Sequence, residues 1–252
     1  MARRAALIKA ARASATNLLV VDAGNALLNL DALPDDVPGT VTTDAFNRLN
    51  YDAVTLGSAD LAALGTEGVA RVRASASFAL LSANVYLANT NELAAVPYVL
   101  RDTGNRRVAI VGLTDPCTAP GFRVRDPVRA ARTWVRRARR EADIVILLSH
   151  AGRETNLQIA ERVRGIDVIV MGGNQLLSEP LRLGHDQTLL VHADRYAAEM
   201  AGRYVGLASL TFDGAGTLTD YAWQRVQLDD TVGEDKAMSN WLQQLGAGQT
   251  AP

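Results

Sequence analysis

Cysteine, lysine and long apolar runs are what this chain has least of. Its one cysteine, Cys117, excludes an intramolecular disulfide and any cysteine-based metal cage. Lys9 and Lys236 are the only lysines, so 24 of the 26 basic residues are arginine, a bias that, with the abundant alanine, reads as composition rather than as a phosphate-binding signal. The first residues, Met1 to Ala15, hold no apolar stretch long enough for a signal-peptide core. No run reaches the ~20 apolar residues of a membrane span. A cytoplasmic location is therefore expected. The formal net charge of −1 gives no global attraction to nucleic acid or to an anionic membrane.

What is present is an ordinary globular composition, with 48% hydrophobic and 21% charged residues, which predicts a packed core rather than disorder. The length allows one large domain or two small ones. Leu7, Ile8 and Ala11 give an opening helix an apolar face. Leu18 to Val21 forms an apolar run that suits a strand covered on both sides. Asn29 to Thr40, with two prolines, reads as a loop. Helices are predicted from Thr42 to Asn50, from about Asp60 to Arg73, from Pro127 to Glu141, from Leu157 to Arg164 and from Asp235 to Leu245. Strands are expected at Ala53–Leu56, Phe78–Ala83, Pro97–Leu100, Arg107–Leu113, Ile144–Leu148, Asp167–Met171, Thr188–Val191, Tyr204–Phe212 and Leu218–Gln227. This order, α/β units first and strands last, predicts a layered α/β domain with a mixed sheet or sheets.

Several turns then resemble those of a known family. Val20-Val21-Asp22-Ala23-Gly24-Asn25 is similar to a strand ending in D-x-G-D. Asn47 to Asp60 resembles the segment N-x-L-x-Y-D-A-V-T-x-G-N-H-E. Leu81 to Val85 resembles L-S-A-N-V, and Val111 to Thr114 resembles I-G-L-T. Ala142 to Gly152 is similar to A-D-x-V-I-x-L-S-H-x-G, and Gly165 to Asn174 to G-I-D-V-I-I-G-G-H. These are the landmarks of the metallophosphoesterase (calcineurin-like) domain of the 5′-nucleotidase family, in the family's order from about Arg3 to Asp235. The resemblance implies a four-layer α/β/β/α sandwich. It implies a metallophosphoesterase-like domain over residues 1–235, with residues 236–252 as a closing helix and tail and no nucleotidase specificity domain. Family members hydrolyse phosphoesters, typically nucleotides, with two divalent metals.

Two-metal hydrolysis needs a dense set of nitrogen and oxygen ligands, with a carboxylate bridging the cations. By resemblance that set is degenerate here. Nothing matches the D-x-H motif of the family's first strand, so that strand is expected to be lacking. Asn25 stands at the bridging aspartate. Ser58 and Ala59 stand at the asparagine and histidine of G-N-H-E. Asn174 and Leu176 stand at the histidines of G-H-x-H. His150 alone is retained as a family ligand, and one histidine cannot hold two metals. No catalytic residue, no resident metal and no cofactor are therefore assigned, with weakly bound Mn or Zn as the alternative. The vestigial cleft comprises Asp22, Asn25, Ser58, Asp60, His150 and Asn174.

Each of these residues also has a plainer role. His150 is read as bonding a neighbouring backbone group, Asp22 as structural, Asp60 as a helix cap and Asn174 as a turn residue of positive φ. His185 and His192 match no ligand position and are read as surface or core residues. Arg129, Arg132, Arg136 and Arg139 share one helix face, widened by Arg137 and Arg140. A solvated face is the commoner meaning of such a stripe, and without interleaved aromatics it gives no nucleic-acid site.

Three functions follow. The leading one is a non-catalytic domain acting in protein interaction or scaffolding, with a protein partner or a homo-oligomer. The second is a metal-dependent phosphoesterase or nucleotidase with a site rebuilt from Asp22, Asp60, Asp115, His150 and Asn174. The third is a sensor whose cleft binds a nucleotide or other small molecule. An absent inner strand would leave backbone groups along Leu18 to Asp22 unpaired, which predicts that another segment or a partner covers that edge.

Overall fold

The computed structural model describes residues 1–28, 37–173, 177–194 and 202–248. Its centre is a six-stranded mixed sheet in the order β10-β11-β9-β8-β6-β5. These strands are β5 (Tyr98–Thr103), β6 (Arg106–Leu113), β8 (Ile144–Ser149), β9 (Val168–Met171), β10 (Leu181–Leu183) and β11 (Thr188–His192). β6, β8, β9 and β11 run parallel, and β5 and β10 close the edges antiparallel. Side chains along a strand alternate faces. Along β6 and β8, Ala109, Val111, Val145 and Leu147 turn to one core, and Val108, Ile110, Ile144 and Leu148 to another.

The first of those cores is closed by helices α4 (Pro127–Ala138) and α5 (Arg153–Arg162), through Ala131, Val135, Ala138, Ile159 and Ala160. Pro127 stands in the first turn of α4, where its missing N–H would be unpaired anyway, and the Asp126 carboxylate caps that turn by accepting from Arg129 N at 2.7 Å. The opposite face meets a second β layer in two parts. One is the parallel sheet β1 (Val21–Asp22), β2 (Ala53–Thr55) and β3 (Ala79–Leu81). The other is the hairpin β12 (Tyr204–Phe212) and β13 (Leu218–Gln227). Phe212 packs with Leu19 and Val21 against one cluster and also reaches the hairpin's own core, so the two parts lie side by side. Among the described residues, β1 is an edge strand, paired only with β2. A small ladder of β4 (Val85–Leu87) and β7 (Phe122–Val124) stands apart.

The fourth layer comprises α1 (Ala2–Ser14), α2 (Thr40–Arg48), α3 (Ser58–Ser75) and α6 (Lys236–Gly248). It covers Val54 and Leu80 with Phe46, Leu61, Val69 and Met238. The architecture is the expected α/β/β/α sandwich. Details differ from the sequence reading. α1 buries Ala2, Ala5 and Ile8, not the Leu7–Ile8–Ala11 face, because its neighbours are α6 and the residues before β2. Of the apolar run only Val21 pairs as strand, together with the Asp22 that follows it. β4, β7 and β10 are three-residue elements with no sequence signal. Of the loop read from Asn29 to Thr40, residues 29–36 lie outside the described set, and α2 already starts at Thr40. Of the arginine stripe, Arg139, just past the end of α4, is half-buried and bonded to the Gly165 carbonyl and to Asp167. Arg137 lies over the Trp134 ring. No helix among the described residues is long and apolar enough to cross a membrane.

Candidate functional site

The C-terminal ends of β1, β2, β6, β8, β9 and β11 open on the same side, the usual place for a site in an α/β sheet. The loops there approach too closely for ordinary side chains. A Cβ on Gly57 would collide with Asn25 Oδ1, and one on Gly172 would collide with the Ala23 carbonyl and lie 2.7 Å from His150 Nδ1. Glycine at these two points is what lets the turns after β1, β2 and β9 close around His150.

His150 is 6% exposed, and its Nδ1 is 3.0 Å from the Ala23 carbonyl oxygen, so the backbone bond expected of it is present. Asn25 adopts a left-handed φ of 59°. Its Oδ1 accepts from Ala59 N at 2.9 Å, at the start of α3. Asp60 is fully buried and engaged on both oxygens: Oδ2 accepts from Asn25 N at 2.8 Å and Gly57 N at 2.9 Å, and Oδ1 from Leu27 N at 2.8 Å. It is a cap that staples the β1 loop to α3. Burial pushes its carboxyl up to about 6 against those three bonds. Ser58 N donates to Asp115 Oδ1 at 2.9 Å. Asn174 and Leu176 lie outside the described residues.

Asp22 is partly buried, and its Oδ1 accepts from Gly24 N at 3.0 Å. Burial raises its carboxyl, opposed by the charges of Arg4 and His150. Three further residues reach this region that the sequence reading did not place there. His192 is 3% exposed, with one ring nitrogen, Nε2, 3.0 Å from the Gly173 carbonyl and the other, Nδ1, without a partner among the described residues. Burial lowers its pKa. Asp194 is also raised by burial, and its Oδ1 has no hydrogen-bond partner among the described residues. Arg4 enters from α1, donating to the Gly202 carbonyl at 2.9 Å and to Tyr51 Oη at 3.5 Å. His192 directly follows the apolar strand run Thr188 to Val191 and Asp194 lies two residues on, a strand-end position that could have flagged both. Arg4 carried no such signal. His185 is an exposed residue beside Asp186, as expected.

The Asn25 side-chain oxygen is engaged by Ala59 N, the Asp60 carboxylate is held by three backbone N–H groups, and Ala59 has no side-chain donor. Among the described residues, no three His, Cys, Asp or Glu side chains converge so as to hold a metal ion.

No family model matches the chain. It is 29% identical over 201 residues to the uncharacterized metallophosphoesterase YunD of Bacillus subtilis (strain 168), covering 77% of this chain and 42% of that protein. It is 27% identical over 275 residues to the snake venom 5′-nucleotidase of Naja atra, covering 94% and 49%. The chain thus spans about half the length of the curated relatives it matches. Among solved structures, the 5′-nucleotidase precursor from Thermus thermophilus superposes with a TM-score of 0.84 at 26% identity over 98% of this chain and 52% of that one. Sequence and fold together make the chain a homologue of the metallophosphoesterases and 5′-nucleotidases, with their metallophosphoesterase-type domain.

Proposed function

We propose that this domain keeps the phosphoesterase scaffold without its dinuclear chemistry, and serves as a non-catalytic domain that acts by binding a partner. The observation that carries this reading is the state of the loop-end side chains. Asn25, which by the family resemblance stands at the bridging aspartate, accepts from Ala59 N and so ties the β1 loop to the start of α3. A metal-dependent hydrolase uses its cations to generate the nucleophile and to clamp developing charge, and without them most of the rate acceleration is lost.

A second reading, a phosphoesterase with a rebuilt site, draws support from the relatives' names and from two imidazoles. His150 and His192 each contact a backbone carbonyl through one nitrogen, and His192 Nδ1 is left without a hydrogen-bond partner. That is how histidine ligands are oriented around metals. One experiment separates the readings: metal content and phosphate release from nucleotides and p-nitrophenyl phosphate, after incubation with Mn²⁺ or Zn²⁺. Sub-stoichiometric metal and no turnover are expected. Metal-dependent turnover abolished by His150→Ala would establish the second reading instead. Thermal stabilisation by a nucleotide without turnover would identify the bound partner as a small molecule.

A further inference from the structure

We propose that the gap between β1 and β12 is a docking slot for one extended segment of a partner polypeptide, apolar at alternate residues. The proposal rests on the partner-binding reading above and names the kind of partner.

A central strand covered on both faces should bury every side chain. β8 and β9 do so at every position but one each, Ile146 and Val170, which stay partly exposed. Both lie on the face that meets the second β layer, with Ile144, Leu148 and Val168. Both pack against the cluster under β1 and against the cluster under the hairpin, so the uncovered spot falls where the two parts of that layer meet. The walls are apolar as well. Leu19 and Val21 flank the spot on one side and Leu210 and Phe212 on the other, each of them partly exposed.

The backbone is open on the same two sides. Among the described residues β1 pairs only with β2 and β12 only with β13, and no backbone hydrogen bond joins β1 to β12. The two edges are near enough to share Ile146, Val170 and Phe212, yet they are not bonded to each other. An extended chain laid between them satisfies both edges at once and turns every second side chain onto the floor. A helix bonds its own backbone and would leave both edges open. Leu18 to Asp22 sets the length at about five residues, roughly 17 Å. A second copy of the chain is poorly suited to fill the slot. Among the described residues the exposed large hydrophobics are Val37 and Val96, and each precedes a proline, which brings no N–H to a ladder.

Amide exchange of the full chain, with and without a synthetic peptide at millimolar concentration, tests this. The peptide carries lysine at both ends and threonine alternating with valine between, over about nine residues. Alternate amides along Val20 to Asp22 and along Val205 to Thr211 should exchange about tenfold more slowly with it. The melting midpoint should rise by about 3–5 °C. The same peptide with two threonines changed to proline keeps the apolar side chains but loses backbone donors, and it should protect neither edge. No protection by the first peptide, equal effects of the two peptides, or protection of β1 with β12 unchanged overturns the proposal. Both edges protected before peptide is added also overturns it, whether light scattering shows a monomer or a dimer. Metal-dependent phosphate release by the chain counts against the non-catalytic reading instead, so the two failures are distinguishable.

Discussion

Asp60 gives the sharpest test of how the β1 loop and α3 are held together. Asp60→Ala removes the acceptor from three N–H groups at 2.8–2.9 Å, in a position with no solvent exposure. Unsatisfied buried donors cost ~1–3 kcal/mol each, so the gross loss is roughly 3–9 kcal/mol. Against this, the variant no longer buries a charge. A carboxyl raised from 3.8 to about 6 corresponds to about 3 kcal/mol of relief at neutral pH. The net loss should be roughly 3 kcal/mol at pH 7, or about 6–12 °C in the melting midpoint. The sign of the pH dependence follows from the raised pKa. The folded carboxyl holds its proton up to about 6, and the unfolded one releases it near 3.8. Between these values the folded state binds more protons, so the stability from this group is present at low pH and fades as pH rises through about 6. The variant lacks that contribution, and its deficit should be about 1 kcal/mol larger at pH 5 than at pH 7.5. Urea unfolding of both proteins at the two pH values measures this. A deficit below about 1 kcal/mol, or one that grows with pH, would refute the assignment of Asp60 as a buried cap.

Other outcomes follow from the same geometry. Gly172→Ala should lose about 2–3 kcal/mol by chemical denaturation, since its Cβ would strike the Ala23 carbonyl and His150. Asn25→Asp restores a carboxylate in the family's bridging position; p-nitrophenyl phosphate assays with Mn²⁺ should still detect no turnover, since the oxygen remains on Ala59 N. Amide exchange along Leu18 to Asp22, with light scattering for mass, should show protection that depends on association, because among the described residues β1 pairs on one side only. A monomer with a fully protected β1 would contradict that.

The long elements were legible because their patterns are redundant. The apolar runs of β8 and β9, the Pro127 start of α4 and the Gly214–Gly216 turn between β12 and β13 each carry several agreeing signals. β4, β7 and β10 were not legible, since three residues cannot establish a period. The apolar face of α1 was misread because it is alanine-rich: Ala2 and Ala5 are buried by what packs on them, which no periodicity reveals. At the site, the resemblance located the loops that converge on His150, and the plain readings of Asp60 and His150 as structural groups agree with their hydrogen bonds. Arg4, His192 and Asp194 escaped because their roles arise from tertiary proximity between segments far apart in the chain.

The contact between α6 and α1 bears on how the chain assembles. Met238, Trp241 and Leu242 complete the cluster begun by Ala2, Ala5 and Ile8, while the Asp235 carboxylate meets Lys9 and its N–H meets the Ala2 carbonyl. During synthesis, α1 emerges before α6 and must wait for it before its buried face is fully covered. Contacts of such sequence separation form late, since the loop they close is costly in entropy. The nascent chain therefore carries an open helical layer over β1–β3 for most of its emergence, and a pause before residue 236 prolongs that exposure.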